Sequence, residues 1–176
     1  MSQHPVSFEA YPVDRFIDIV KAWIEHSWPI TAAEARQVYE SLGYSTVPKD
    51  PEMFASPFAD GEADSYYVTV KGLVSTVDIA VARPCNAGEE EESSAAIASA
   101  YDAFCQAINS HYKNMISATR SEAGSAEWTF TSDVELDVSV WNRSISTCIH
   151  SPYMTQLRRE EQEMGLTSYD DILEDD

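Results

Sequence analysis

From Asp133 to Trp141 the chain alternates without a break. Val134, Leu136, Val138 and Val140 fall on one side, and Asp133, Glu135, Asp137, Ser139 and Trp141 on the other. Successive side chains of a strand point to opposite faces, so this is a β-strand with one face in a core. A strand must pair its backbone groups, so the fold contains a sheet, and other elements pack on its apolar side.

Those other elements are legible upstream and downstream. Val13, Phe16, Ile17, Val20, Trp23 and Ile24 recur at helical spacing until Pro29 interrupts them. Thr31 and Glu34 form a capping box for a second helix, with Ala35, Val38, Tyr39 and Leu42 inward and Gly43 as its stop. Val47 to Glu62, with Pro48, Pro51 and Pro57, reads as a loop with room for one short strand. Tyr66, Val68 and Val70 alternate with Tyr67, Thr69 and Lys71. A turn at Lys71-Gly72 then leads into a strand to Ala82 with Val77, Ile79 and Val81 inward. Pro84 to Glu92 is a solvated loop leading into a long Ala-rich helix over 93–120, whose stripe is Ile97, Tyr101, Phe104, Ile108 and Met115.

Strands are expected over 126–131, 134–141 and 144–149. Ser151 and Pro152 then act as N-cap and N1 of a last helix to Met164, closed by Gly165. The expected order is α-α-β-β-α-β-β-β-α. That is an α+β fold with an antiparallel sheet of about five strands in two hairpin groups, helices mainly on one face. Residues 1–176 read as a single domain, with a leader over 1–12 and an acidic tail over 167–176 in which Tyr169, Ile172 and Leu173 are possible anchors.

Composition then narrows the function. Thirty acids against 11 Lys and Arg give a formal net charge of -19. A field of that sign repels phosphate backbones and anionic membrane surfaces and speeds encounter with a cationic partner. The same acidity also serves plain solubility. No stretch is apolar enough to span a bilayer, and Met1 to Val13 lacks the pattern of a secretory signal. Cys85, Cys105 and Cys148 are odd in number and far apart, which fits reduced thiols in the cytoplasm.

No set of residues advertises chemistry, so no enzyme, no cofactor and no metal is expected. Cys148 and His150 share a face only if their strand is regular, and no glycine-flanked elbow supports a nucleophile there. HExxH, paired CxxC and EF-hand patterns do not occur, nor do GxGxxG or GxxxxGK[ST]. Arg158-Arg159 is the one adjacent basic pair, placed to complement a helix dipole or nearby glutamates. The candidate site is the outer row of the alternating strand. Asp133, Glu135 and Asp137 would steer a cationic partner and Trp141 would anchor it. Asp78, Thr76 and Tyr67 extend this face if the two hairpins share a side of the sheet. An acidic face on a half-buried strand is also ordinary solvent-facing surface.

Several features together resemble the immunity proteins of bacterial polymorphic-toxin systems, more narrowly a small acidic actinobacterial-type family. They are Trp28-Pro29-Ile30-Thr31 leading to Leu42-Gly43, the long Ala-rich helix, Trp128, the stretch Val134 to Val138, Ile149-His150-Ser151-Pro152-Tyr153 and Glu163 to Leu166. The resemblance implies a cytoplasmic protein, monomer or weak dimer when free, that binds a cognate protein toxin and occludes its active site. The alternative from element order is an acidic secretion chaperone that binds an exported effector.

Overall fold

The computed structural model describes residues 7–165. Its element order is β1 (Glu9–Ala10), α1 (Val13–Ile24), α2 (Ala32–Ser41), β2 (Ser45–Val47), β3 (Asp50–Ala55), β4 (Ser65–Val70), β5 (Leu73–Ala80), β6 (Ala82–Arg83), α3 (Glu90–His111), β7 (Ile116–Glu122), β8 (Ser125–Phe130), β9 (Glu135–Val140), β10 (Ile145–His150) and α4 (Pro152–Glu163). Eight strands form one antiparallel sheet in the order β2-β3-β4-β5-β10-β9-β8-β7, and β1 pairs with β6 in a separate ribbon. Each half of the large sheet is a four-stranded meander preceded by a helix, and the halves meet where β5 pairs β10.

This corrects the expected five-stranded sheet and its element order. The loop over 47–62 contains β2 and β3. Pro51 is tolerated because β3 pairs with β2 there only through a shifted register. The long helix stops at His111, not at Arg120. The chain turns at Tyr112, whose hydroxyl donates to Glu25 at 3.2 Å, and residues 116–122 run back as β7. Met115, expected in the buried stripe, therefore sits in the turn and is exposed. Glu90 to Glu92 are the first helical turn, not loop, where their charge suits the positive dipole end. Part of the leader is structured as β1, and the expected tail lies outside the described residues.

Helix α1 packs on α3, with Phe16 stacked on Phe104 at 3.9 Å between ring centres. Helix α2 and the turn that follows it are tied to the sheet by tyrosine hydroxyls. Tyr39 reaches the Tyr66 and Asp78 carbonyls at 2.9 and 2.7 Å, and Tyr44 the Ala80 carbonyl at 2.5 Å. Thr31 caps α2 by accepting from the Glu34 N–H, and Ser151 caps α4 by accepting from Met154, both at 3.2 Å. Val77, Ile79, Leu136, Val138 and Ile149 are buried on the face shared with α1–α3. Helix α4 lies on the opposite face, so the helices are not all on one side: Arg158 reaches Glu135, whose side chain points away from Leu136.

Candidate binding face

The strand register decides which side chains share the face opposite the core. Tyr66 pairs Asp78, Asp78 pairs Cys148, Cys148 pairs Asp137 and Asp137 pairs Glu127. One row thus runs from β4 to β8 on the outer face. A second row carries Val68, Thr76, His150, Glu135 and Thr129. The two hairpin groups do share this side, and Asp78 and Thr76 extend it as expected. Tyr67 does not. It pairs with Val77 on the other face and is buried in the core; its neighbour Tyr66 takes the outer position.

Strand β9 begins only at Glu135, and Asp133 lies in the turn before it at φ 71°, but the acidic row from Asp133 to Asp137 is engaged within the chain. Arg158 donates to Glu135 at 2.8 Å, and the Glu135 side chain is only 4% exposed. Arg159 pairs with Asp133 at 3.0 Å, joined by the Gln156 amide. His150 meets Asp137 at 3.0 Å. Hydrogen bonds to Asp137 and then Cys148 push the His150 imidazole up to about 10 against the opposing effect of burial, so it carries its proton at neutral pH. Trp141, expected to close the row, follows β9 at the far end from α4 and is 63% exposed. Its backbone N–H donates to the Ser144 carbonyl at 2.8 Å across the β9–β10 turn, and Arg143 in that turn donates to the Cys85 carbonyl. Asp78 is half-buried beside Cys148, and burial raises its carboxyl above the ordinary range, with the Tyr66 hydroxyl pulling the other way.

The pairing of Cys148 and His150 is regular, so both do share a face. Sγ lies 3.7 Å from His150 Nε2, but Asp137 sits on the same nitrogen, while Nδ1 faces the Thr76 hydroxyl at 3.4 Å. A thiol relay needs the acid to orient the opposite nitrogen, so this geometry serves an ion pair better than a nucleophile. Glu127, Glu135 and Asp137 bring carboxylate oxygens within 4.8 Å of one another. Burial, then Asp137 and Glu135, push Glu127 up. Arg158 and His150 supply positive charge to this cluster, and Asp137 Oδ1 stays buried without a hydrogen-bond partner. Arg120, Arg158 and Arg159 face Glu127 and Glu135 across a polar cleft of about 330 Å³ between α4 and β7–β8.

The other half of this face has no described helix over it. There Met53, Tyr66, Val68, Val70 and Leu73 form an apolar stripe across β3, β4 and β5, each between 39% and 43% exposed. Tyr153, more than half exposed, begins α4 nearby. Sequence reasoning placed Tyr66, Val68 and Val70 in a strand without marking them as a site. The available signal was that Tyr66, Val68 and Val70 make one face of this strand wholly apolar, while Tyr67 on the other face is also a core-sized aromatic.

Among the described residues, no helix is long and apolar enough to cross a membrane. The three cysteines are unpaired, with Cys85 buried. Neither the curated proteins nor the solved structures contain a match to the chain. A family model does match, over residues 14–151, which takes in α1 from its second residue, every strand of the large sheet and the Ser151 cap, and stops before α4 and its Arg158 and Arg159. The chain therefore belongs to the family of unknown function DUF6301.

Proposed function

We propose that this chain is an immunity protein that works in the cytoplasm by binding a basic protein toxin and occluding its active site. The observation that carries the reading is the contiguous apolar stripe Met53, Tyr66, Val68, Val70 and Leu73, exposed on a sheet face beside Asp78. A chain with net charge -19 gains little solubility from such a patch, and a large exposed apolar patch rimmed by polar groups is the usual mark of an interaction surface. The net charge selects the partner's sign and speeds its approach, while the stripe supplies the area that holds it. Asp133, Glu135 and Asp137 are bound by Arg159, Arg158 and His150, so they act in this reading through the field more than through direct contact. Asp78 and Trp141 remain the expected acids-and-aromatic contacts at the edges of the stripe and sheet.

The test is inhibition. The purified chain is mixed with a basic toxin encoded beside it, and binding is followed by calorimetry alongside toxin activity. Tight 1:1 binding with loss of activity is expected, and Val68→Arg should weaken it at least 30-fold, the size of a hot-spot loss. Binding only to the unfolded toxin, without inhibition, would replace this reading with a secretion chaperone.

A further inference from the structure

At one end of the stripe the outer face opens into a cleft of about 350 Å³ between the Trp28-Pro29 turn, the β4–β5 hairpin and the first turn of α4. Val70 and Leu73 belong to both stripe and cleft, and Trp28, Val74 and Tyr153 complete its apolar wall. The volume falls in the range of pockets that hold a compact ligand group. We infer that this cleft receives one aromatic side chain of the basic partner and acts as the anchor point of the complex; the inference rests on the binding function proposed above.

The lining selects this occupant. The chain has 30 acids, yet among the described residues none lines the cleft, and Lys71 is the one charged side chain there. A lysine or arginine of the partner would therefore enter without a counter-ion. A free anion would have to cross the field of a chain carrying -19. What fits is an apolar group delivered by a body whose own positive charge offsets that field. An aromatic ring buries about 150–250 Å² at the cost of few rotatable bonds. Ser75 adds a polar handle. Its hydroxyl donates to the Val68 carbonyl at 3.1 Å, which leaves the oxygen lone pairs for an indole N–H or phenol O–H. The stripe around the cleft then excludes water from the anchor, the arrangement in which a single residue dominates binding.

The experiment uses the full chain, labelled with ¹⁵N, and indole as the probe for a tryptophan side chain. Saturable shifts at Val70, Leu73, Ser75 and Gln156 are expected, with a Kd of about 1 mM. Leu73→Glu and Val70→Glu should each abolish them. Both residues are partly exposed, so an unchanged amide spectrum elsewhere will show that the variants fold. In the complex with a basic toxin, either variant should weaken inhibition at least 30-fold. A toxin inhibited equally by wild type and Leu73→Glu would overturn the cleft while leaving the binding function in place. Failure of the wild type to bind any basic toxin would overturn both. Octanoate binding tighter than indole would assign the cleft to a small apolar acid and overturn the aromatic anchor.

Discussion

Replacing Arg158 by alanine should loosen α4 from the sheet, and the size of the effect can be worked from the geometry. The Glu135 side chain is 4% exposed and accepts from Arg158 at 2.8 Å. Stripping the partner from a fully buried ion pair costs about 3–5 kcal/mol, because the remaining charge has neither water nor a counter-ion. Two features lower that figure here. Arg158 itself is 42% exposed, so part of the pair is already screened. Helix α4 can also lift away and let water reach Glu135. Little opposes lifting: Thr155 is its one buried residue, and the Arg159–Asp133 pair, between partly exposed groups, is worth about 0.2–1 kcal/mol. The cost of Arg158→Ala is therefore capped by undocking α4, at about 1–2 kcal/mol. For a chain of this length that corresponds to a fall of about 2–8 °C in Tm. Urea unfolding gives the free energy, and hydrogen exchange should show faster exchange confined to α4 amides. In a Glu135→Gln background the same substitution should cost under about 0.5 kcal/mol, because no charge is left stranded. A cost under about 0.5 kcal/mol in the wild type, or an equal cost in both backgrounds, would refute the account.

Three further outcomes follow from other contacts. His150 holds its proton up to about 10, above its ordinary 6.5, so its ion pair stabilises the fold in full below pH 6.5 and loses that contribution as pH rises toward 10. With its side chain 19% exposed, the loss between pH 6.5 and 9.5 should be about 1–3 kcal/mol in urea midpoints, absent in His150→Gln; an imidazole titrating below pH 7 by NMR would sink this. Tyr39→Phe removes the hydroxyl that joins α2 to two sheet carbonyls and should cost about 1–2 kcal/mol, measured by urea unfolding, with no change in partner binding. Trp141→Ala, at a position 63% exposed, should leave stability within about 0.5 kcal/mol, and a larger drop in Tm would mean that the indole packs in the free protein.

Local signals carried much of the fold. The caps at Thr31 and Ser151 are as the residues imply, because a cap is settled within three residues. The β4–β5 hairpin is also where Lys71-Gly72 puts it, since both residues adopt the positive φ that the turn requires. What the sequence hid is what tertiary contacts decide. Nothing between His111 and Ile116 forbids helix; the turn there is held by Tyr112 on Glu25 and by Trp128 on Asn109 at 2.8 Å. The fate of the acidic row was hidden for the same reason. Arg158 and Arg159 are plain in the sequence, but their partners Glu135 and Asp133 lie 23 and 26 residues away, and only the sheet register and the placement of α4 bring them together.

Strands β4 and β9 show how to separate a used surface from a free one. Strand β9 is apolar on one face and acidic on the other, which reads as core and solvent. Its acidic face is nevertheless occupied, because α4 and His150 bring the matching positive charges. Strand β4 carries large apolar groups on both faces: Tyr67, between Ser65 and Thr69, enters the core, while Tyr66 and Val68 point outward at 40% and 43% exposure. Aromatic or branched apolar groups pointing both ways from one strand suit burial on both sides. The helices α1 to α3 cover one of them, and α4 is held over β9 by its two arginines, one strand beyond β10. Moving α4 to cover the stripe would strand Glu135 without its counter-ion, so the pairing that neutralises the acidic half of the sheet also keeps the apolar half open. The arginine pair thereby sets which half of this face α4 leaves exposed.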